Sequence, residues 1–223
     1  MRSYNQFCFA ARALDLVGDR WTLLIVRELL FGPKRYTDLQ EGLPGIGPTL
    51  LAERLRSLEA AELIERRRLP APAASTVYEL TELGGELRPV LSELFRWGMR
   101  TLSPPGPNDT IWASWLLAAI EARAQADHIS PDVEETYEFR IGGEVVTVLA
   151  SPSRIEARQG PARSPALVVE TDPETFAALG MRRISAEEAI GKGRLFVDGD
   201  PGAADRCSKL FGVLDAEVAL ARG

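Results

Sequence analysis

A helix predicted to begin near Pro48 has one face made of side chains that form hydrogen bonds. At about 100° per residue, this face carries Thr49, Glu53, Arg56 and Ser57. A guanidinium pairs with guanine, a carboxylate accepts from the amino group of cytosine, and a hydroxyl can serve either strand. This is the chemistry of base recognition in the major groove, although an ordinary amphipathic surface helix would carry the same residues.

The opposite face of this helix is predicted to be buried, and a turn is predicted before it. Leu51, Leu55 and Leu58 recur at helical spacing and therefore face a core. Residues 44–48 contain two glycines and two prolines, which end the short helix that starts near Tyr36. A short helix, a turn and a second helix form a helix-turn-helix, which lays its second helix in the major groove of duplex DNA.

Basic residues flank this motif in positions that suit contacts to phosphate. Residues 64–69 are strand-like, residues 70–76 form a tip rich in Pro and Ala, and residues 77–80 alternate as a returning strand. The predicted phosphate-contacting residues are Lys34, Arg35, Arg66, Arg67 and Arg68. Such a run of charge is often only a solvated surface. Beside a recognition helix, however, a basic strand pair predicts the wing of a winged helix-turn-helix.

The net charge of −6 is distributed unevenly over the 223 residues. Residues 1–102 contain 14 Lys and Arg against 13 Asp and Glu, whereas residues 103–223 contain 12 against 19. The acidic second half is therefore not the part predicted to approach nucleic acid. Because the first half is only weakly positive, affinity for DNA must depend on where its basic residues lie.

Residues from about 8 to 98 resemble the HxlR-type family of bacterial winged-helix regulators. The resemblance rests on Cys8 and on the segments LDLVGDRW at 14–21, GPKRY at 32–36, LPGI at 43–46, LAERLRSLE at 51–59 and YELTELG at 78–84. It implies a homodimeric regulator of transcription, a repressor or an activator, which binds double-stranded DNA in a bacterial cytoplasm.

An apolar stripe from residue 81 to residue 102 follows the motif and is predicted to form a helix kinked at Pro89. Such a stripe commonly contacts a dimer partner, and packing on its own domain is the alternative. The resemblance favours the dimer, and so does the two-fold symmetry of paired half-sites in DNA.

The second half of the chain predicts a separate domain, so that the whole is a multi-domain α+β protein. The Pro-rich segment 103–109 is typical of a linker between a DNA-binding and dimerisation domain at 1–102 and a second domain at 110–223. Helices are expected at 110–126, at 172–179, from 185 and at 200–214. Strand patterns predict an antiparallel sheet packed against helices, with strands at 136–141, 144–150, 154–158, 166–171 and 194–198.

Residues from about 137 to 211 resemble the sterol-carrier-protein type of lipid-binding domain. The best signature is the segment AIGKGRLFVDGD at 189–200. The resemblance implies an apolar pocket between sheet and helices, able to take a small apolar effector. The predicted lining residues are Phe139, Ile141, Phe176, Leu179, Phe196 and Phe211. A solid core filled by the same side chains is the alternative.

The sequence argues against an enzyme. His128 is the only histidine, and no nucleophile-elbow motif accompanies it. The two cysteines lie far apart and have no metal-ligand spacing. Gly191 and Gly193 lack the strand and helix context of a dinucleotide site. No cofactor and no metal are therefore expected.

A redox-sensing regulator that uses Cys8 is the remaining alternative. Cys8 lies near the start of the first predicted helix, one turn from Arg12, where a thiolate would be stabilised. The HxlR resemblance implies this role, since many members carry a sensing cysteine here, although Phe9 stands where a proline commonly follows. A lone cysteine is also often inert packing.

The expected location is the cytoplasm, without membrane association. The N-terminus has no apolar core typical of a signal peptide. The apolar residues 111–120 are far fewer than the ~20 that a spanning helix needs.

Overall fold

The computed structural model describes residues 3–70, 74–99, 106, 109–112, 115, 132–152 and 154–211. The chain divides into two compact units, Met1–Leu91 and Ser92–Gly223. Most of the predicted linker at 103–109 and most of the helix expected at 110–126 lie outside the described residues. The domain limits drawn from the sequence therefore stay a prediction.

Four helices open the first unit: α1 Phe9–Val17, α2 Thr22–Leu29, α3 Tyr36–Gly42 and α4 Pro48–Ala60. The core between them contains Ile25, Val26 and Leu39, all fully buried, together with the three leucines of α4. A proline in the first turn of α4 lacks only an N–H that would have no partner inside the helix. The predicted helix-turn-helix, formed by α3, a turn and α4, is confirmed.

The wing is an antiparallel pair of strands, β1 Ile64–Arg68 and β2 Thr76–Leu80, in which Arg66 lies opposite Tyr78. Lys34 pairs with Tyr78 from the other side. The N–H of Lys34 donates to the Tyr78 carbonyl at 2.9 Å, and the N–H of Tyr78 donates back at 2.7 Å. The segment before α3 is thus joined to the wing. Residues 71–73 of the predicted tip lie outside the described residues.

Two helices, α5 Glu82–Gly85 and α6 Arg88–Met99, stand where the sequence predicted one helix kinked at Pro89. Pro89 is the second residue of α6, so the helix begins around the proline instead of bending at it. Thr81 caps α5, since its hydroxyl accepts a hydrogen bond from the N–H of Gly84 at 3.0 Å. Residues 100–102 of the expected helix lie outside the described part of the chain.

The second unit contains one sheet, formed by β3 Glu135–Ile141, β4 Glu144–Ser151, β5 Arg154–Gln159, β6 Leu167–Thr171 and β7 Leu195–Gly199. The strand order is β5-β4-β3-β6-β7, and β3 and β6 are parallel while the other pairs are antiparallel. The α+β class is confirmed, but the sheet is mixed and not antiparallel throughout. The reason is that residues 160–166 carry the chain from one edge of the sheet to the far side of β3.

Three described helices accompany this sheet: α7 Pro173–Gly180, α8 Ala186–Gly191 and α9 Pro201–Phe211. The Asp172 carboxylate accepts from the N–H of Thr175 at 2.8 Å, and the Ser185 hydroxyl accepts from the N–H of Glu188 at 3.0 Å. These helix starts follow the sequence pattern. Residues 212–214 of the expected last helix are outside the described chain. None of the helices within the described residues has the length and apolarity to cross a membrane.

Candidate nucleic-acid interface

The two faces of α4 differ as the sequence predicted. The three leucines of its inner face are at most 1% exposed. On the outer face, Thr49, Glu53 and Arg56 are exposed and Ser57 is half-buried. Burial of the leucines therefore fixes which polar side chains α4 presents to solvent.

Hydrogen bonds already orient two of these side chains. The Arg56 Nε donates to the carbonyl of Ala52 at 3.2 Å, which lays the side chain along its own helix. Arg56 has no ion pair within the described residues. The carboxylate of Glu53 accepts from an Nη of Arg54 at 3.0 Å. Arg56 thus keeps its charge available, whereas Glu53 is partly neutralised.

The wing arginines are not equivalent. The Arg66 Nε lies 2.7 Å from a carboxylate oxygen of Glu59 on α4, and an Nη of Arg67 lies 2.8 Å from a carboxylate oxygen of Glu79 on β2. Arg68 is exposed and has no ion pair in the described part of the chain. The hydrogen bond from Arg67 holds the pKa of Glu79 below its usual value, so the pair stays ionised at neutral pH.

Lys34 and Arg35 lie where the wing meets the start of α3. Lys34 is half-buried and pairs with Tyr78 on one side of β2, while Arg66 pairs with Tyr78 on the other side. The structure therefore places Lys34 and Arg66 in one row across the wing. Arg35 is exposed, and its N–H donates to a carboxylate oxygen of Asp38 at 2.9 Å, which caps α3.

The sequence analysis gave no role to Arg54, which lies on α4 between its apolar and polar faces. Its side chain is only 15% exposed, and its Nη1 is 3.2 Å from the carboxylate of Asp19. Tyr36 was also missed as a contact to α4. Its hydroxyl donates to the carbonyl of Pro48 at 2.8 Å. Both contacts join residues distant in sequence, so no local periodicity could reveal them.

Cys8 is exposed, carries a free thiol and directly precedes α1. The Arg12 guanidinium, one turn along α1, lies 3.7 Å from the carboxylate of Asp15, which partly balances its charge. The redox role therefore stays a prediction that rests on exposure and position.

Large apolar side chains are exposed at the start of α1 and along α6. Phe7, Phe9, Val90, Leu94 and Trp97 are each at least 44% exposed. Exposed aromatic and aliphatic groups in such numbers are typical of surfaces that contact another protein.

Five of the six predicted pocket residues are buried, and one is not. Those buried are at most 3% exposed: Phe139, Ile141, Phe176, Leu179 and Phe211. Phe196 is 53% exposed, so its assignment to an interior pocket is wrong for this structure. Its neighbour Leu195 takes the inward direction on β7, and alternation along a strand turns Phe196 to the other face.

The buried rings pack directly on one another. The Phe139 ring makes edge-to-face contacts with Phe176 and Phe211, with centroids 5.9 Å apart in both cases. Tyr137 contacts Phe211 at the same separation. At these rings the interior is filled, as the solid-core alternative expects, and a ligand pocket beside them stays a prediction.

A polar network adjoins this core at Tyr137. The Arg206 Nε donates to a carboxylate oxygen of Glu135 at 3.0 Å, and the Tyr137 hydroxyl donates to the other oxygen at 2.7 Å. The hydrogen bond from Arg206 lowers the pKa of Glu135, while burial raises the pKa of Tyr137 and of Cys207. The Cys207 thiol therefore stays protonated and unreactive. Within the described residues, no His, Cys, Asp and Glu group suits a metal ion.

Comparison with known proteins separates the two halves of the chain. Residues 16–105 match the profile of the family described as HxlR-like helix-turn-helix, and residues 116–212 match the SCP-2 sterol transfer family.

Two regulators of Bacillus subtilis are similar in sequence. The HTH-type transcriptional regulator YodB is 40% identical over 92 residues, which cover 41% of this chain and 82% of YodB. The uncharacterized HTH-type transcriptional regulator YvaP is 33% identical over 93 residues, which cover 42% of this chain and 86% of YvaP. A solved structure of reduced YodB, 37% identical, covers 45% of this chain and 100% of that one with a TM-score of 0.39.

Proposed function

The chain belongs to the HxlR-like helix-turn-helix family, and on this basis we propose that it is a transcription regulator that binds specific DNA sequences as a homodimer. The observation that carries the proposal is α4, which buries its leucines and exposes Thr49, Glu53 and Arg56 beside a basic wing. A helix of this kind reads base edges when it enters the major groove.

The residues proposed to contact base edges differ from those proposed to contact the phosphates of DNA. Arg56 and the hydroxyls of Thr49 and Ser57 are suited to base edges, and Glu53 is suited to cytosine. Arg68 is suited to phosphate because no carboxylate pairs with it among the described residues. Lys34, Arg35, Arg66 and Arg67 complete the proposed phosphate contacts.

A second copy of the chain would cover the apolar side chains exposed along α6. Val90, Leu94 and Trp97 share one side of α6 at helical spacing. A two-fold dimer built on this surface presents two recognition helices to two half-sites.

The C-terminal sterol-carrier-protein-like domain is proposed to bind a small apolar effector. Its acidic character keeps it from contributing to DNA affinity, so a sensing role suits it better than a second DNA contact. The proposed division remains 1–102 for DNA binding, 103–109 as linker and 110–223 for the effector. An effector acts only through unequal affinities for two states, and a coupling of ~1–3 kcal/mol changes occupancy about 5–150-fold.

Selection of duplexes from a random library tests the DNA-binding proposal. The full chain should enrich a two-fold symmetric sequence, and Arg56→Ala should weaken binding to it by ~1–3 kcal/mol with a smaller effect on random DNA. Arg158→Ala, which changes an exposed arginine of the second unit, is the matched control. Failure of the full chain to prefer any sequence would refute the proposal.

Native mass spectrometry of the full chain purified from cells tests the dimer and the effector together. A dimer with a retained apolar molecule supports both proposals. Operator affinity is then measured with a panel of lipids and hydrophobic metabolites. If no lipid binds and operator affinity never changes, the second unit has no effector role.

A thiol-responsive regulator is the second candidate, supported by the free and exposed Cys8 between two exposed phenylalanines. Diamide treatment should then alter operator binding by the full chain and leave the Cys8→Ser variant unaffected. Cys207 is buried and serves as an internal control. An equal response of both proteins would exclude Cys8 as the sensor.

A further inference from the structure

The turn between α1 and α2 holds an unusual backbone conformation beside the helix-turn-helix. Trp21 has a φ of +79°, in the left-handed region that bulky residues rarely adopt. Its ring lies over the turn that precedes α4, where a Cβ built on Gly45 would be 3.7 Å from the ring. The Arg20 guanidinium lies 5.3 Å from the centre of the Trp21 ring. A strained conformation persists only where its surroundings hold it in place.

Arg54 connects α4 to this turn. Its Nη1 lies 3.2 Å from the Asp19 carboxylate, and its Nε donates to the carbonyl of Arg20 at 3.3 Å. The same guanidinium donates to Glu53 at 3.0 Å. Because a guanidinium presents its donors from separate nitrogens in a rigid plane, one side chain holds all three groups in a fixed geometry, whereas the three donors of a lysine lie on a single rotating nitrogen.

The position of Arg54 on α4 gives these contacts a mechanical role. The buried leucines set which face of α4 is exposed, and the small roll about the helix axis that side-chain packing still permits is left to polar contacts at the edge of that face. A roll of about 20° would move atoms ~5 Å from the axis by nearly 2 Å, more than a hydrogen bond to a base tolerates. Arg54 lies at the side of the buried leucines, where a fixed contact opposes rolling.

We propose that Arg54 is a positioning residue of the DNA interface. It ties α4 to the turn at Asp19 and Arg20, sets the roll of the recognition helix, and directs the Glu53 carboxylate. It does so without touching DNA. This inference rests on the proposed function, since it concerns how the proposed reading helix is held.

Operator binding by full-length variants tests this role. Arg54→Met keeps the length of the side chain and removes the guanidinium. We expect about a tenfold or larger loss of affinity for the duplex selected by the wild-type chain, with less than about a twofold change on random DNA and no change in salt dependence. Arg140→Met, which removes an ion-paired arginine from the second unit, is the control.

Two further variants separate positioning from a general loss of structure. Arg54→Lys keeps the charge near Asp19 and should recover part of the specific affinity. Asp19→Asn is milder than Arg54→Met and should weaken specific binding in the same direction. The double variant should bind no worse than Arg54→Met alone, because both changes break one contact. Circular dichroism of each variant confirms that it is folded.

Each outcome decides one question. An equal loss on selected and random DNA, with a reduced salt slope, would make Arg54 a direct phosphate contact and overturn the proposal. Unchanged specific binding by Arg54→Met would also overturn it. If the wild-type chain prefers no duplex, the proposed function itself fails, and the role of Arg54 fails with it.

Discussion

Replacing Arg68 with alanine should reduce the salt dependence of DNA binding more than replacing Arg66 or Arg67. Each substitution removes one positive charge, so a response to net charge alone would be the same for all three. The structure distinguishes them, because carboxylates of Glu59 and Glu79 pair with Arg66 and Arg67, whereas Arg68 has no ion pair among the described residues. A guanidinium without a carboxylate partner neutralises a phosphate most fully, and this releases the counterions that were condensed on the DNA.

The size of the effect follows from the slope per phosphate contact. One contact contributes ~0.9 to the slope of log K against log salt, so the two copies of Arg68 in the proposed dimer would contribute ~1.8. Between about 50 and 200 mM salt, this share of the slope corresponds to roughly a 12-fold change in affinity. The same rise in salt should therefore weaken DNA binding by the Arg68→Ala variant about 12-fold less than it weakens binding by the wild type.

Fluorescence anisotropy with a random duplex, titrated at several salt concentrations, measures these slopes. Arg66→Ala and Arg67→Ala are the matched controls. Glu79→Gln is the converse test, since it releases Arg67 and should steepen the slope by up to ~0.9 per subunit. Equal slopes for the three alanine variants would show that the two ion pairs do not weaken the contacts of Arg66 and Arg67 with phosphate.

Three further predictions concern stability. Gly84→Ala should lower the free energy of unfolding of the first unit by ~1–3 kcal/mol in urea, because the new Cβ would lie 1.9 Å from the carbonyl oxygen of Leu63. A loss below ~0.5 kcal/mol would contradict this packing. Phe139→Ala should lower the free energy of unfolding of the second unit by ~3–5 kcal/mol, whereas Phe196→Ala, at an exposed position, should lower it by less than ~0.5 kcal/mol. Similar melting temperatures of the two variants would refute the assignment of the core. The hydrogen bond from Arg206 lowers the pKa of Glu135, so the stability that this pair gives the fold is complete above the usual pKa of a glutamate and is lost as the pH falls through the lowered value. The unfolding free energy of Glu135→Gln should therefore depend less on pH between about pH 5 and 3 than that of the wild type. Parallel curves of unfolding free energy against pH for the two proteins would exclude this linkage.

The elements of the first unit could be predicted because their signals are local. The leucine spacing of α4, the Gly and Pro residues before it and the alternation in the wing each lie within a few residues. The predicted recognition face follows directly, since burial of three leucines leaves Thr49, Glu53 and Arg56 outside. The break before α6 was missed because a proline is compatible with a kink and with a helix start alike.

The partners of the candidate site residues could not be predicted, because they depend on packing between distant segments. The sequence shows adjacent arginines in the wing, but the carboxylate on α4 that pairs with Arg66 is placed by the fold. Arg54 meets Asp19 for the same reason. Phe196 shows a different limit: a shift of one residue in a strand reverses its face, and Leu195 and Phe196 are both apolar.

The pairing of Lys34 with Tyr78 has a consequence for how this protein can be controlled. Two backbone hydrogen bonds join the entrance of α3 to β2, and the N–H of Leu63 bonds the carbonyl of Leu58 where α4 leads into β1. Among the described residues, these backbone hydrogen bonds link the entrance of α3, the end of α4 and the wing into one connected unit. If the wing and the recognition helix move as one unit, a controlling signal in the proposed homodimer would act on the distance or the angle between the two copies. Regulation would then select among spacings of half-sites and leave the preferred bases unchanged.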